Sequence, residues 1–191
     1  METYLSTWGV IKAAGICSYL LLFVSVCAGA FSYGKLLPAK TRAAMLPIHQ
    51  WSGWFGFLFG LLHGVVLLID SYAPFSLKEL VIPFYADHQR MAIGFGIVAF
   101  YMYLAVLVTS DWMKWFGRKV WRAVHYLPFP AYVFSLLHGF LAGSDTTHKE
   151  MKIMYAATGI VFILVFVVRI GWSKKNTVKE HNAHAYTAGR G

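Results

Sequence analysis

Residues 49–63 read HQWSGWFGFLFGLLH, and this stretch decides the fold class. It carries no Asp, Glu, Lys or Arg, and apolar residues and glycine continue it as far as Ile69. A helix needs about 20 such residues to cross roughly 30 Å of hydrocarbon. Only helices and closed barrels satisfy their backbone hydrogen bonds in lipid, and this run is continuous rather than alternating. We therefore predict a transmembrane helix over residues 50–69.

The whole chain has the composition of a membrane protein. Of its 191 residues, 58% are hydrophobic and 13% are charged, and the mean hydropathy is +0.56. A soluble domain carries about 25% charged residues. These values exclude a water-soluble globule, a disordered chain and a small secreted domain held by disulfides. We predict an all-α integral membrane protein that lies in the lipid bilayer and binds no nucleic acid.

Four further apolar stretches have the length of a membrane span. Together with the first they predict a single bundle of about five transmembrane helices, with no soluble domain, over residues 1–172. Residues 173–191 are polar and are predicted to form a cytoplasmic tail. The predicted spans are about 10–32, 50–69, 91–110, 122–142 and 153–172.

The basic residues indicate how the bundle is oriented. The side that holds the first loop, the third loop and the tail carries a formal charge of +10, and the opposite side carries −1. Lysine and arginine are enriched in cytoplasmic loops, so the N-terminus is predicted outside and the C-terminus inside, in a multi-pass protein of a bacterial cytoplasmic membrane. Residues 28–30 also resemble a signal-peptide cleavage site, but cleavage there would leave the basic first loop outside. The inner basic residues are Lys35, Lys40, Arg42, Lys114, Arg118, Lys119, Arg122, Arg169, Lys174, Lys175, Lys179 and Arg190.

Histidine recurs inside the predicted spans and at their ends, where ionisable residues are costly and indicate function. His49 and His63 are 14 residues apart on the second span, so they share a face and lie about 21 Å apart along the axis. His125 and His138 are 13 residues apart on the fourth span, or about 19.5 Å. Both helices run in the same direction. We therefore expect His49 to lie level with His125, and His63 level with His138.

Two levels of facing imidazoles predict two b-type haems. Haem iron has two axial positions, and neutral imidazole fills such a position without placing a charge in lipid. His49 and His125 would hold the inner haem iron, and His63 and His138 the outer one. A zinc or non-haem iron site would need ligands that converge at one point, often with carboxylates, and no acidic residue lies in the middle of a predicted span.

Three glycines beside the first histidine are further candidates for contact with the cofactor. Gly53, Gly56 and Gly60 lie within about 40° of His49 around the helix, so a flat macrocycle could lie against the backbone there. Taken alone, the same glycines are better explained as a small-residue contact between two helices.

Two inner arginines are candidate partners for the anionic haem propionates. Arg42 precedes the second span, and Arg122 begins the fourth. Taken singly, each is explained slightly better as an ordinary interfacial anchor.

The fourth span contains a conflict. A separation of 13 residues places His125 and His138 about 140° apart on an ideal helix, so they would not share a face. Pro128 and Pro130 lie between them, and proline can kink or rewind a helix. The sequence does not show whether a kink or a helix tilt brings both histidines to the same side.

The two spacings, H-x13-H on one helix and H-x12-H two helices later, resemble the ferric reductase-like transmembrane domain superfamily over about residues 45–170. His49-x3-Gly53 and Trp121-x3-His125 also look like its local pattern. The resemblance implies the same inner and outer haem assignment and the transfer of electrons across the membrane.

Three features depart from that superfamily. Many members have six helices, whereas five are predicted here. Tyr126 follows His125 where a basic residue is common, which weakens the case for a propionate partner there. No G-x-G-x-x-G dinucleotide fingerprint is present, so a flavin or nicotinamide donor would belong to another chain, or the donor would be a quinol.

These observations together predict a di-haem b cytochrome of the membrane. It would act as an oxidoreductase component that moves single electrons from a cytoplasmic flavoprotein or a membrane quinol to an acceptor on the outer side, with flavin or quinone entering only through a partner. Two alternatives stay open. One is a haem anchor or relay subunit without its own catalysis, and the other is a small-molecule-binding subunit of a membrane importer. The outer loop over residues 70–90 either caps the outer haem or lies on the membrane surface without a chemical role.

Overall fold

The computed structural model describes residues 6–32, 37–71 and 74–188, with side chains as far as Gly171. Within these ranges the chain forms helices and no strand, as the composition predicts. The helices are α1 (Thr7–Ser32), α2 (Ala39–Ile69), α3 (Leu77–Val81), α4 (Arg90–Asp111), α5 (Met113–Val124), α6 (Pro128–Ala142) and α7 (Lys149–Ala188).

Four of these helices are long and apolar enough to cross a membrane, namely α1, α2, α4 and the part of α7 from Lys149 to Gly171. α6 is apolar but has only 15 residues. At 1.5 Å per residue it is about 22 Å long, which is less than the roughly 30 Å of a hydrocarbon core. The protein is thus a helical membrane bundle with four full-length spans and one shorter apolar helix in its described part.

The predicted fourth span over 122–142 is not one helix, and the sequence-based boundaries are wrong there. α5 ends at Val124, His125 caps it, and α6 begins at Pro128. The turn is closed by backbone bonds from the His125 amide to the Trp121 carbonyl and from the Leu127 amide to the Val124 carbonyl, both 2.9 Å. Proline fits the first turn of a helix because its missing N–H has no partner there. His125 and His138 therefore sit on different elements, and the 140° conflict disappears.

Two other helix ends differ from the prediction. α2 begins at Ala39 and continues through Pro47, whereas the apolar run suggested a start near residue 50. α7 continues to Ala188, beyond the predicted end of the fifth span at residue 172, and the cytoplasmic tail over residues 173–191 stays a prediction. Polar residues can continue a helix beyond the hydrocarbon, so an apolar stretch marks the membrane-embedded part of a helix and not its full length.

α1 lies at the centre of the bundle. It packs along α2 and also contacts α6 and α7, while α4 packs mainly against α6. Its side chains contribute to an aromatic core between the helices, and outward side chains such as Ile163, which is 59% exposed, suit contact with lipid. The buried members of the core are Tyr19, Leu22, Val26, Tyr103, Tyr132, Tyr155 and Phe162.

A chain of three hydroxyl groups ties α1, α6 and α7 together inside this core. The Thr158 hydroxyl donates to the Met154 carbonyl at 2.8 Å, so its oxygen accepts from the Tyr19 hydroxyl at 2.5 Å. Tyr19 in turn accepts from Tyr132 at 2.9 Å. The hydroxyls of Tyr19, Tyr132 and Thr158 thus each have a partner, which is the condition for burying polar groups without a large cost.

The outer loop contains the short helix α3. Ser76 and Glu79 form a capping box, with the Ser76 amide 2.8 Å from a Glu79 carboxylate oxygen. The hydrogen bonds from Ser76 lower the pKa of Glu79. Leu77 and Tyr85 are exposed, and Phe84, with φ 62°, packs against Gly94 of α4. The prediction that this loop lies on the membrane surface or caps a cofactor stays a prediction.

Candidate metal-binding histidine pairs

The structure brings four histidines together as two pairs. The ring centres of His49 and His125 are 5.9 Å apart with an interplanar angle of 76°. Those of His63 and His138 are 6.1 Å apart at 80°. The pairing is the one expected from the levels of the residues. His49 and His63 both lie on α2, so the two pairs are about 21 Å apart along that helix.

The separation within each pair leaves room for one metal ion. A coordinating imidazole nitrogen lies about 2 Å from its metal, and the ring centre lies about 1 Å further away. Two imidazoles on opposite sides of one ion therefore have ring centres about 6 Å apart. Edge-to-face packing of two aromatic rings gives the same distance. The hydrogen bonds of the ring nitrogens are therefore needed to distinguish a metal site from simple ring packing.

Three of the four rings are held through Nδ1 by a backbone carbonyl. His49 donates to the Ser25 carbonyl and His63 to the Ile11 carbonyl, both at 2.9 Å, and His138 donates to the Ala92 carbonyl at 2.8 Å. A carbonyl can only accept, so Nδ1 carries the hydrogen and Nε2 keeps its lone pair. Metal-bound histidines in proteins have this support on the nitrogen that does not bind the metal.

Glycines on the neighbouring helices make room for these contacts, and the sequence reasoning missed them. A Cβ atom at Gly29, Gly15 or Gly96 would lie 2.9, 3.0 or 2.7 Å from Nδ1 of its histidine. Each glycine comes four residues after the residue whose carbonyl accepts the bond. In a helix that carbonyl points toward the glycine, so a side chain there would block the imidazole.

His125 is supported in another way. Its Nδ1 is buried and has no hydrogen-bond partner within the described residues. Its ring packs on the indole of Trp121 with the ring centres 4.8 Å apart. The Trp121 Nε1 donates to the Ser110 hydroxyl of α4 at 3.3 Å. The His125 ring is thus positioned by packing against the Trp121 indole, whereas each of the other three histidine rings is positioned by a hydrogen bond to a backbone carbonyl.

Residues 14–137 match the family described as ferric reductase like transmembrane component, over more than half of the chain. The chain belongs to this family. Comparison with curated proteins and with solved structures gave no match. The matched region includes His49, His63 and His125 and ends one residue before His138. Family membership indicates transmembrane electron transfer and a link to redox partners.

The histidine pairs of this family member are separate from any larger ligand cluster. Across the described residues, no group of three or more His, Cys, Asp or Glu side chains converges on one point. A tetrahedral zinc site needs such a group. The candidate ligands at each level are two neighbouring imidazole rings, and such a pair suits a metal whose remaining positions are filled by a macrocycle.

The three predicted glycines of α2 contact protein in this structure. A Cβ at Gly56 would lie 2.7 Å from the Tyr103 hydroxyl, and one at Gly60 would lie 2.9 Å from the Ser18 hydroxyl. Gly53 accepts a 2.7 Å hydrogen bond from Tyr103 through its carbonyl. These contacts are the small-residue helix interface that was the alternative explanation, and the role of the glycines beside a macrocycle stays a prediction.

The two predicted arginines differ in their surroundings. Arg42 lies seven residues before His49 on α2, so it shares the face of His49 and lies about 10 Å closer to the inner end. It is half-buried, and its Nε is buried without a partner within the described residues. Arg122 is exposed. A buried unpaired donor is costly, so Arg42 fits an anionic group such as a haem propionate.

An ion pair closes the outer end of the bundle. Lys12 of α1 lies 3.0 Å from the Asp145 carboxylate in the loop after α6. The hydrogen bond from Lys12 lowers the pKa of Asp145. Lys12 follows Ile11, whose carbonyl accepts the hydrogen bond from His63, so the ion pair anchors the turn of α1 that supports His63.

A shallow groove of about 150 Å³ lies between α2 and α4 toward their inner ends. Its wall is mainly apolar, and its lining residues include Asp111, which is next to the Ser110 that holds Trp121. The groove is lined by Trp54, Phe57, Leu104, Leu107, Asp111 and Trp112, among others.

Proposed function

We propose that this protein is a di-haem b cytochrome that moves single electrons across the membrane. The observation that carries the proposal is the pair of facing imidazoles at each of two levels, with Nδ1 held by a carbonyl in three of the four rings. When bound, each haem supplies an iron that gains and loses one electron. His49 and His125 are assigned to the inner iron, and His63 and His138 to the outer.

The residues of the chain have three tasks in this proposal. The carbonyls of α1 and α4 fix three imidazoles in the tautomer that leaves Nε2 free for iron, and they strengthen it as a ligand. The apolar bundle keeps water away from both levels. Arg42 places a cation next to the inner level, where its unpaired Nε would meet a propionate.

The charge distribution indicates on which side of the membrane the electron donor and the electron acceptor would act. The end of the bundle with Arg42, Arg122 and the basic residues of α5 is the cytoplasmic end by the positive-inside rule. We infer that the donor acts at the His49–His125 level and the acceptor at the His63–His138 level. The exposed basic face of α5 suits the acidic surface of a cytoplasmic flavoprotein.

One observation favours a membrane quinol as the donor. The groove between α2 and α4 is lined by aromatic and aliphatic residues together with Asp111. In this proposal the Asp111 carboxylate would accept a hydrogen bond from a quinol hydroxyl. Reduction of the purified protein by a short-chain quinol, and its loss in Asp111→Asn, would support this donor. Reduction by a flavoprotein alone would contradict it.

The alternatives make different predictions. A small-molecule importer subunit gives no reason for two histidine pairs at matched levels with three of the four rings held by a backbone carbonyl. A haem anchor without its own catalysis would bind both haems but would not pass an electron from a donor on one face to an acceptor on the other.

Haem content by pyridine haemochrome, with reduced-minus-oxidised spectra, tests the proposal. We expect two b haems per chain, both low-spin, in the purified protein. His63→Leu should keep the inner haem only, whereas the exposed His88, replaced in His88→Leu as a matched control, should leave both. Retention of two haems in His63→Leu would overturn the assignment, and a wild type without haem after expression with ample haem would overturn the function.

A further inference from the structure

The inner and outer histidine pairs do not have the same support. In the outer pair both rings donate to a carbonyl, His63 at 2.9 Å and His138 at 2.8 Å. In the inner pair only His49 does so. The Nδ1 of His125 is buried without a partner among the described residues, and its ring rests on Trp121.

This difference affects how strongly each pair donates electrons to a metal. A carbonyl that accepts the Nδ1–H bond draws the proton away from the ring and makes Nε2 the stronger donor. A stronger axial donor stabilises the oxidised iron and lowers the reduction potential. The outer pair has two strengthened ligands and the inner pair has one, so the inner site should have the higher potential.

The charges around the two levels act in the same direction. Arg42, with its unpaired Nε, lies two helical turns from His49. At the outer end of the bundle, Lys12 is paired with Asp145 at 3.0 Å, so this lysine adds little net positive charge there. A positive charge favours the state that holds one more electron, so an uncompensated cation raises the potential of the inner site.

We infer that the inner site holds its haem at the higher reduction potential and releases it more readily, with His125 as the weaker of the inner ligands. The inference rests on the proposed function. An electron delivered to the protein then rests at the His49–His125 level. With both haems bound, an external acceptor that keeps the outer site oxidised, or the inside-negative membrane potential, would draw this electron from the inner level to the outer one.

Spectropotentiometric titration of the purified full chain tests the order of potentials. We expect two steps in the wild type. His138→Leu, which keeps the inner pair, should titrate near the higher step, and His49→Leu, which keeps the outer pair, near the lower step. Two bound haems with equal or reversed potentials would overturn this inference and leave the proposed function intact. A protein without haem would overturn both.

A charge variant separates the role of His125 from that of the arginine. Arg42→Gln should lower the inner potential but leave it above the outer one, because the difference in ligand support remains. If the order is lost in Arg42→Gln, charge alone explains it and the role of His125 is overturned.

A second measurement uses only the wild type and so does not depend on folded variants. Transfer of haem to excess apomyoglobin should occur in two phases. We expect the haem lost in the fast phase to be the one with the higher potential, as shown by titration of the protein that remains. Faster loss of the low-potential haem would contradict the inference.

Discussion

Gly96 lies behind His138, and the absence of its side chain lets the imidazole reach the Ala92 carbonyl. A Cβ there would be 2.7 Å from Nδ1, which is closer than real Cβ atoms approach. We predict that Gly96→Ala displaces the ring, breaks its hydrogen bond and weakens outer haem binding by about 10- to 100-fold, the usual cost of losing such support. Haem content would fall from two per chain toward one, as measured by pyridine haemochrome.

Gly64 provides the matched control, because nothing lies within 4 Å of a Cβ built there. Gly64→Ala makes the same chemical change on a transmembrane helix and should keep both haems. Equal haem content in the two variants would show that Gly96 does not support His138.

Asp145 makes the outer end sensitive to acid. Its pKa is lowered by the hydrogen bond from Lys12, so the ion pair contributes stability above the ordinary aspartate pKa and loses it as pH falls through the lowered value. Both side chains are about one-third exposed, 35% and 31%, so the contribution is at most about 1 kcal/mol. Thermal unfolding of Asp145→Asn and wild type should differ slightly at pH 7 and converge below about pH 4. A difference that grows with acid would contradict this assignment.

Some of the site was predictable at the residue scale and some was not. The 14-residue spacing of His49 and His63 gave the two levels, because a straight helix converts sequence distance directly into height. Gly15 and Gly29 of α1 have the same spacing, since α1 runs antiparallel to α2 and faces both histidines. That match was visible in the sequence, but it has meaning only once the two helices are known to be neighbours.

At the scale of elements, the sequence suggested an irregularity in the predicted fourth span but did not show that the break lies between α5 and α6. The 140° conflict between His125 and His138 indicated that an ideal straight helix would not place both on one face, and the sequence left a kink and a helix tilt open as explanations. Pro128 limits where a new helix can begin. The turn at His125–Leu127 also depends on how Trp121 packs against α4, which is a tertiary contact that no local pattern contains.

The hydroxyl chain that ties α6 to α1 and α7 gives a prediction for this element. Thr158→Val removes the acceptor of the Tyr19 hydroxyl and leaves a buried donor unpaired, which should cost about 1–3 kcal/mol. Tyr132→Phe removes only the donor to Tyr19 and should cost about 1 kcal/mol. Thermal melts in detergent should rank Thr158→Val as the less stable variant, with haem content unchanged in both folded proteins. The reverse order would mean that the chain of donors runs in the other direction.

At the scale of the whole molecule, composition and charge predicted the helical membrane bundle and its orientation. They did not predict how far α2 and α7 extend beyond the hydrocarbon. Hydropathy marks the part of a helix that lies in lipid, and not the residue at which its backbone hydrogen bonds end. Neither did composition and charge show that α2 and α7 leave more of their surface to lipid than α1 and α4 do. That distinction follows from the order in which the helices pack.

Vectorial electron transfer is the property of the whole molecule that the two levels predict. In proteoliposomes with a membrane-impermeant reductant trapped inside and ferricyanide outside, the wild type should reduce ferricyanide. His138→Leu keeps the inner pair, so its remaining haem should still become reduced while ferricyanide reduction falls to the level of empty vesicles. The reason is distance: the inner and outer levels are about 21 Å apart, and without the outer site the electron would have to cross that part of the bundle in one step. The exposed His88 serves again as the control, since His88→Leu should transfer electrons like the wild type. Undiminished transfer by His138→Leu would show that the electron does not pass through the outer pair.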